Sequence, residues 1–257
     1  MKAAIKVAII TVVYNAKDTI AACMQSVLEQ NYAHIDYIII DGNSNDGTQA
    51  IINDKISQIQ YYISAPDNGI YNAMNKGMNA ADADYVMFIN ADDTFLHSNV
   101  IGDLIPFLEN KKIDALLTGV FIFKKNKPFR IYGTISFRAW MFRFGHQPPH
   151  PGFICKLTLM KKIGGFNESF KIAGDFDLML RLFNLKGFQF SALTYFSVKM
   201  LHGGASAFGI KTTRVLNKEI LSSLKQNGYF SNSILIYSKY LFKIWQLILP
   251  KLGYKIT

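Results

Sequence analysis

Cysteines, uncharged apolar runs and glycine-rich phosphate loops are scarce or missing in this chain, and each absence removes a class of protein. Only Cys23 and Cys155 occur among its 257 residues, with no C-x-x-C or Cys/His zinc spacing. That argues against a disulfide scaffold or a zinc module, and the two are expected as buried, reduced thiols of a cytoplasmic protein. The N-terminus, MKAAIKVAIITVVYN, is interrupted by Lys6 and has no small-residue cleavage site, which makes it a poor signal peptide. No uncharged apolar run reaches the ~18 to 20 residues that a membrane span needs. The longest candidate, residues 234–249, contains Lys239 and Lys243. G-x-G-x-x-G is absent after the first apolar run, where Tyr14-Asn15-Ala16-Lys17 stands, and neither G-x-x-x-x-G-K-[ST] nor G-x-S-x-G occurs. A Rossmann dinucleotide site, a P-loop and a hydrolase nucleophile elbow are therefore not expected. No internal repeat or low-complexity segment is present.

Apolar residues make up 50% of the chain, charged residues 18% and aromatic residues 14%. This is ample for a substantial core and argues against disorder. The formal net charge of +10 is unevenly spread. Residues 1–100 carry 5 basic and 11 acidic side chains, a balance of −6; residues 101–200 carry 15 and 6, and residues 201–257 carry 8 and 1. An acidic first third is poorly suited to gripping phosphates unless a cation intervenes. The basic remainder could face nucleic acid, an anionic membrane or a diphosphate.

Strand and helix alternate through the first 123 residues. Val7–Val13 is a continuous β-branched run suited to a strand buried on both faces. A helix over residues 18–30, a strand over 37–40, a helix over 48–54, a strand over 61–64, a helix over 70–80, a strand over 85–89, a helix over 98–110 and a strand over 115–123 follow. This order predicts βαβ units and an α/β fold with a mostly parallel sheet, whose ligands bind beyond the carboxyl ends of the strands. Asn15, Asp41, Asp67 and Asn90-Ala91-Asp92-Asp93 stand at four successive strand ends. Their convergence on one rim is a site expectation from topology alone. After residue 123 a basic hairpin with its tip at 125–127, a Pro/His loop over 146–151, and helices over 156–163, 175–184, 213–226 and 232–249 are expected.

Asp92 and Asp93 directly after a buried strand, in an acidic lobe without a phosphate loop, suit a divalent ion bridging to a diphosphate. The tetrapeptide is equally compatible with a carboxylate that caps the following turn. Asp41 could accept hydrogen bonds from a base or ribose, whereas Asp46 is more economically a helix cap. Lys76 could reach a phosphate, or it could be an ordinary solvated helical lysine. Asp175 could serve as a base or merely cap the helix that it opens. Asp177 is expected to be structural, paired with Arg181 at i,i+4. His146 and His150 could line an acceptor side or simply be exposed loop histidines.

Thr11-Val12-Val13-Tyr14-Asn15, the Asp41 loop, Asp67-Asn68-Gly69-Ile70-Tyr71-Asn72-Ala73-Met74-Asn75-Lys76-Gly77, Asn90-Ala91-Asp92-Asp93, and the block from Gly164-Gly165-Phe166-Asn167-Glu168 to Ala173-Gly174-Asp175-Phe176-Asp177 occur in one order and spacing. Together they resemble glycosyltransferase family 2 over residues 5–205, and most closely its members that build O-antigen, capsule or other bacterial surface polysaccharide. The resemblance implies the GT-A fold and an inverting transfer from a nucleotide sugar, UDP- or GDP-linked, with a divalent metal (Mn or Mg). Carried over by position, Thr11, Val13, Tyr14, Asn15, Asp41, Asp67, Lys76, Asn90, Ala91 and Asp92 would bind the nucleotide sugar. Asp92 and His202 would contact the metal, and Asp175 would be the catalytic base. Three positions depart from the family pattern: Asn90 and Gly42 stand where Asp is usual, and Gly174 where Glu is usual.

Two segments follow from this reading: a GT-A domain over 1–205, divided into a nucleotide-binding half (1–123) and an acceptor and catalytic half (124–205), and a helical segment over 206–257. The acceptor is expected to be a saccharide or lipid-linked oligosaccharide, and Arg130, Arg138 and Arg143 could contact its diphosphate. In the last helix Lys239, Lys243, Gln246 and Pro250 form one narrow polar stripe in an otherwise apolar surface. That pattern suits an interfacial helix on the anionic inner face of the cytoplasmic membrane, or a face packed on the catalytic domain or a second subunit. A nucleotidyltransferase would need a basic glycine-rich loop after the first strand, and an RNA-binding protein an RNP-type motif; neither is present, and no nucleic acid partner is expected.

Overall fold

In the computed structural model, residues 4–110, 112–124, 127–134, 136–201 and 209–248 are described. Among them nine strands form one mixed sheet in the order β3-β2-β1-β4-β8-β6-β9-β5, with β7 pairing β6. The strands are β1 (Val7–Val13), β2 (Ile35–Asp41), β3 (Tyr61–Ser64), β4 (Tyr85–Phe88), β5 (Thr94–Phe95), β6 (Ala115–Lys124), β7 (Lys127–Tyr132), β8 (Phe153–Lys156) and β9 (Phe190–Leu201). The helices are α1 (Ile20–Leu28), α2 (Thr48–Asn53), α3 (Ile70–Ala80), α4 (Val100–Leu108), α5 (Leu157–Lys162), α6 (Gly174–Phe183), α7 (Ile210–Gln226) and α8 (Ser233–Ile248).

β3, β2, β1 and β4 run parallel, so their carboxyl ends share the rim that the alternation predicts. β1 is buried at every position because both faces are covered. Ile10 and Val12 face a core shared with Ile38, Ile40 and α3. Ile9 and Val13 face a second core shared with Ile39, α1 and α4.

β8 and β9 are absent from the sequence reading. β8 is only four residues long and is inserted antiparallel between β4 and β6. β9 lies parallel to β6 and antiparallel to β5. The second half is thus a mixed sheet rather than a continued βαβ repeat. The tip residues Lys125 and Asn126 of the expected hairpin lie outside the described residues.

α7 and α8 share the core of the sheet domain: Ile220, Leu224 and Ile236 are buried in the same cluster as Tyr71, Phe166 and Phe176. This corrects the expected polar stripe of the last helix at Lys239, whereas the side chains of Lys243 and Gln246, and Pro250, lie outside what is described. Lys239 is buried, with its ammonium close to Gly145 and over the Tyr240 ring, so it lies on an inward face. Ile234 and Tyr237 occupy the outward face instead. Among the described residues no helix is long and apolar enough to cross a membrane.

Candidate active site

The loop after β1 is held by the loop after β2. Asn15, Ala16 and Lys17 donate successive backbone N–H groups to Ser44 Oγ (2.7 Å), Thr48 Oγ1 (2.9 Å) and Asp46 Oδ2 (3.1 Å). Asn15 sits in the left-handed region (φ 49°), where Asn is tolerated better than most residues, and its Oδ1 accepts the Asn45 N–H at 2.9 Å. Asp41 lies beneath this loop. It is fully buried, and its carboxylate accepts from the Ser44 hydroxyl at 2.5 Å, the Ser44 N–H and the Ser64 hydroxyl at 2.5 Å. Asp46 accepts from both the N–H and the hydroxyl of Thr48, as a cap does. Tyr14 projects from the rim at 65% exposure.

Thr11 and Val13 do not line an open pocket with their side chains. Thr11 is fully buried and its hydroxyl meets Tyr37 at 3.2 Å and the Cys23 thiol at 3.8 Å. Strand alternation turns it, with Ile9 and Val13, toward α1. Cys23 is a buried free thiol, as expected, and burial pushes it up to about 12. Lys76 donates to the Pro66 carbonyl at 3.1 Å, tethering the segment that carries Asp67. A Cβ on Gly42 would stand 2.7 Å from Asp67 Oδ2 and 3.4 Å from the Tyr14 ring. The first departure from the family pattern therefore leaves room for the Asp67 carboxylate.

The four residues after β4 divide their roles. Asp93 is buried and accepts from the Asn90 side-chain amide at 3.1 Å. Burial and the neighbouring charge of Asp92 push its carboxyl well above the usual range. Asn90 is thus a donor where an aspartate would add a third negative charge. Asp92 is half-buried, and burial raises its carboxyl above its ordinary value. Among the described residues it takes no hydrogen bond or ion pair from another side chain. No group of three or more His, Cys, Asp or Glu that could hold a metal occurs among the described residues. A hard cation held by Asp92 together with diphosphate oxygens nevertheless fits this oxygen donor. His202 lies outside the described residues.

Asp175 stands in the first turn of α6, half-buried. Its Oδ1 accepts the Phe176 N–H at 2.8 Å and its Oδ2 the Gln147 side-chain amide at 2.5 Å. Gln147 is itself anchored, because its carbonyl accepts from the Tyr132 hydroxyl. His150 packs face-on against Phe166 (5.8 Å between ring centroids) and edge-on against Phe88 (5.5 Å), the last residue of β4. Burial lowers its pKa, against the opposing pull of Asp175 beside it. Through His150 the base candidate neighbours β4, two residues before Asn90. His146, half-buried, has its N–H bonded to the Met141 carbonyl.

Asp177 is buried and paired with Arg181 at 2.7 Å, as its i,i+4 spacing predicts, and the Ser223 hydroxyl also donates to it. A Cβ on Gly174 would lie 2.6 Å from the Tyr71 ring, so this third departure is matched to a bulky aromatic neighbour. Sequence reasoning missed Gln147, Tyr71 and Glu219. Gln147 adjoins His146 and Tyr71 lies in a quoted motif, so both carried a signal.

Residues 8–173 match the family described as Glycosyl transferase family 2. The chain is 32% identical over 183 residues to an uncharacterized glycosyltransferase of Mycobacterium tuberculosis, covering 70% of each chain. It is 32% identical over 165 residues, 64% of each chain, to the Escherichia coli UDP-Glc:alpha-D-GlcNAc-diphosphoundecaprenol beta-1,3-glucosyltransferase WfaP. Among solved structures it superposes on S. aureus TarS 1-349 in complex with UDP-GlcNAc with a TM-score of 0.65 at 18% identity, covering 85% of this chain and 66% of that one; it spans 39% of a longer TarS chain. It also superposes on the mannosyltransferase PcManGT from Pyrobaculum calidifontis, in complex with GDP-Man and Mn2+, with a TM-score of 0.62 at 12% identity, covering 99% and 82%. The fold is GT-A-like, an α/β fold with a mostly parallel sheet and C-terminal helices. The chain belongs to glycosyltransferase family 2 and is a glycosyltransferase that uses a nucleotide-sugar donor.

Proposed function

We propose that the protein transfers a hexosyl group, with inversion, from a UDP- or GDP-linked donor to the hydroxyl of a lipid-linked oligosaccharide in the synthesis of a bacterial surface polysaccharide. Two observations carry this reading: Asp92, half-buried after β4, takes no hydrogen bond or ion pair from another side chain among the described residues, and Asp175, in the first turn of α6, has one carboxylate oxygen held by the Gln147 amide. Tyr14, Asn15 and Asp67 would receive the nucleotide at the ends of the first three strands. Asp41 and Lys76 would act through the loops that they hold. A divalent cation at Asp92 would neutralise the diphosphate as it leaves.

Asp175 removes the acceptor hydroxyl proton while the oxygen forms its bond to C1. The C1–O bond to the diphosphate breaks on the opposite face, and the nucleoside diphosphate carries away the electron pair. The Gln147 amide holds one carboxylate oxygen and fixes the direction of the other. His150 and His146, on the same loop, would line the acceptor side.

A lipid-linked acceptor places the enzyme at the inner membrane face. Exposed large apolar side chains support this: Trp140 on the 139–144 turn packed against α8, Phe230 in the connection before α8, and Ile234 and Tyr237 on α8. The nearby chain is basic, with 8 basic and 1 acidic side chains over residues 201–257.

Thermal shift with UDP-, GDP-, CMP- and dTDP-sugars plus manganese tests the donor assignment. A shift confined to UDP- or GDP-sugars is expected, and no shift with either would overturn it.

A further inference from the structure

Residues 201–257 contain a single acidic side chain, Glu219, among eight basic ones. It lies on α7, beyond the family match at residues 8–173. Its carboxylate accepts three consecutive backbone N–H groups: Lys171 at Oε1 (2.9 Å), and Ile172 and Ala173 at Oε2 (2.9 Å each). Ala173 is the residue before α6 and offers no side-chain cap of its own. A carboxylate brought from 46 to 48 residues away thus holds the backbone of the segment that enters α6. The carbonyl of the middle peptide, Ile172, accepts from the Tyr71 hydroxyl at 2.6 Å. Tyr71 sits two residues after Gly69 in the motif that carries Asp67. The segment is therefore gripped on its N–H side by α7 and on its C=O side by α3, two residues before Asp175.

We infer that Glu219 is a positioning residue for the transfer reaction, holding residues 171–173 so that Asp175 enters the cleft in register with the donor rim. This rests on the reading of Asp175 as the base. A general base works only within hydrogen-bond reach of the proton it takes, and a displacement of about 1 Å can cost about 10²-fold in rate. Glu219→Gln keeps the shape but turns one acceptor into a donor facing an N–H. Glu219→Ala removes both acceptors.

The test is steady-state kinetics of the full chain with the donor identified by thermal shift, with active enzyme counted by nucleotide binding. Expected is a kcat lowered about 10- to 100-fold in Glu219→Ala, less in Glu219→Gln, with the donor KM within about twofold of the parent. Tyr71→Phe, which removes one hydroxyl, should also lower kcat and not KM; it serves if the Glu219 variants fail to fold. Asp175→Asn is assayed alongside. If it is inactive while folded Glu219 and Tyr71 variants keep parental kcat per active site and differ only in melting temperature, the positioning role is overturned and the base reading stands. If Asp175→Asn itself keeps parental turnover, the base reading fails.

Discussion

Asn75 and Phe166 exchange a pair of hydrogen bonds across 91 residues of chain: the Asn75 amide donates to the Phe166 carbonyl at 2.9 Å, and the Phe166 N–H donates to Asn75 Oδ1 at 2.8 Å. Asn72 and Asn75 also donate to the two oxygens of Glu168, at 2.9 and 2.7 Å. Two motifs far apart in sequence are thus joined side chain to backbone, which ties α3 to the segment leading into α6. Asn75→Ala orphans both backbone groups of Phe166, and a loss of about 2–4 kcal/mol in urea unfolding is expected. A loss below about 0.5 kcal/mol would show that the pair does not join the halves.

Gly174 is matched to Tyr71, so restoring the family's acidic residue should harm rather than help. Gly174→Glu drives a side chain into the Tyr71 ring, with an expected cost of about 1–3 kcal/mol. In a Tyr71→Ala background the same substitution should cost clearly less, and a double-mutant cycle reads the difference. Additive costs would mean that the two positions are not coupled.

The lowered pKa of His150 has a defined sign. Burial disfavours the charged ring in the folded state, so the unfolded chain binds more protons between the folded pKa and the ordinary value of about 6.5. The contribution of His150 to stability is complete above about pH 6.5 and is lost as the pH falls through that window. Melting temperatures across pH 5–8 should decline on the acid side, and His150→Gln should flatten that decline. An unchanged slope would contradict the assignment.

Asp92→Asn removes a charge with little change of shape. It should weaken binding of the nucleoside diphosphate in the presence of manganese and leave metal-free binding almost unchanged, as measured by calorimetry. Equal affinity of parent and variant with metal present would argue against a cation at Asp92.

Much of this was legible because local chemistry and tertiary structure agree. The β-branched run Val7–Val13 and the strand Tyr61–Ser64 have the expected bounds, and α3 occupies the expected residues. The rim followed from strand order alone. What escaped is long-range. β8 is short and takes its meaning from β4 and β6 on either side. Lys239 read as solvated because a single sequence does not reveal that the chain near Gly145 lies against it. Asp41 stands at the expected strand end and Lys76 on the expected helix, yet both spend their side chains on neighbouring loops. Glu219 carries no motif; its role follows only from where α7 returns.

The central claim is that Asp175 takes the acceptor proton at a site whose donor is held elsewhere. The most direct measurement is the turnover of Asp175→Asn together with its nucleotide affinity. The account predicts a kcat lowered by about 10²–10⁴ with nucleotide binding almost intact, since a base acts only in the transition state. Near-parental turnover in a folded variant would contradict it.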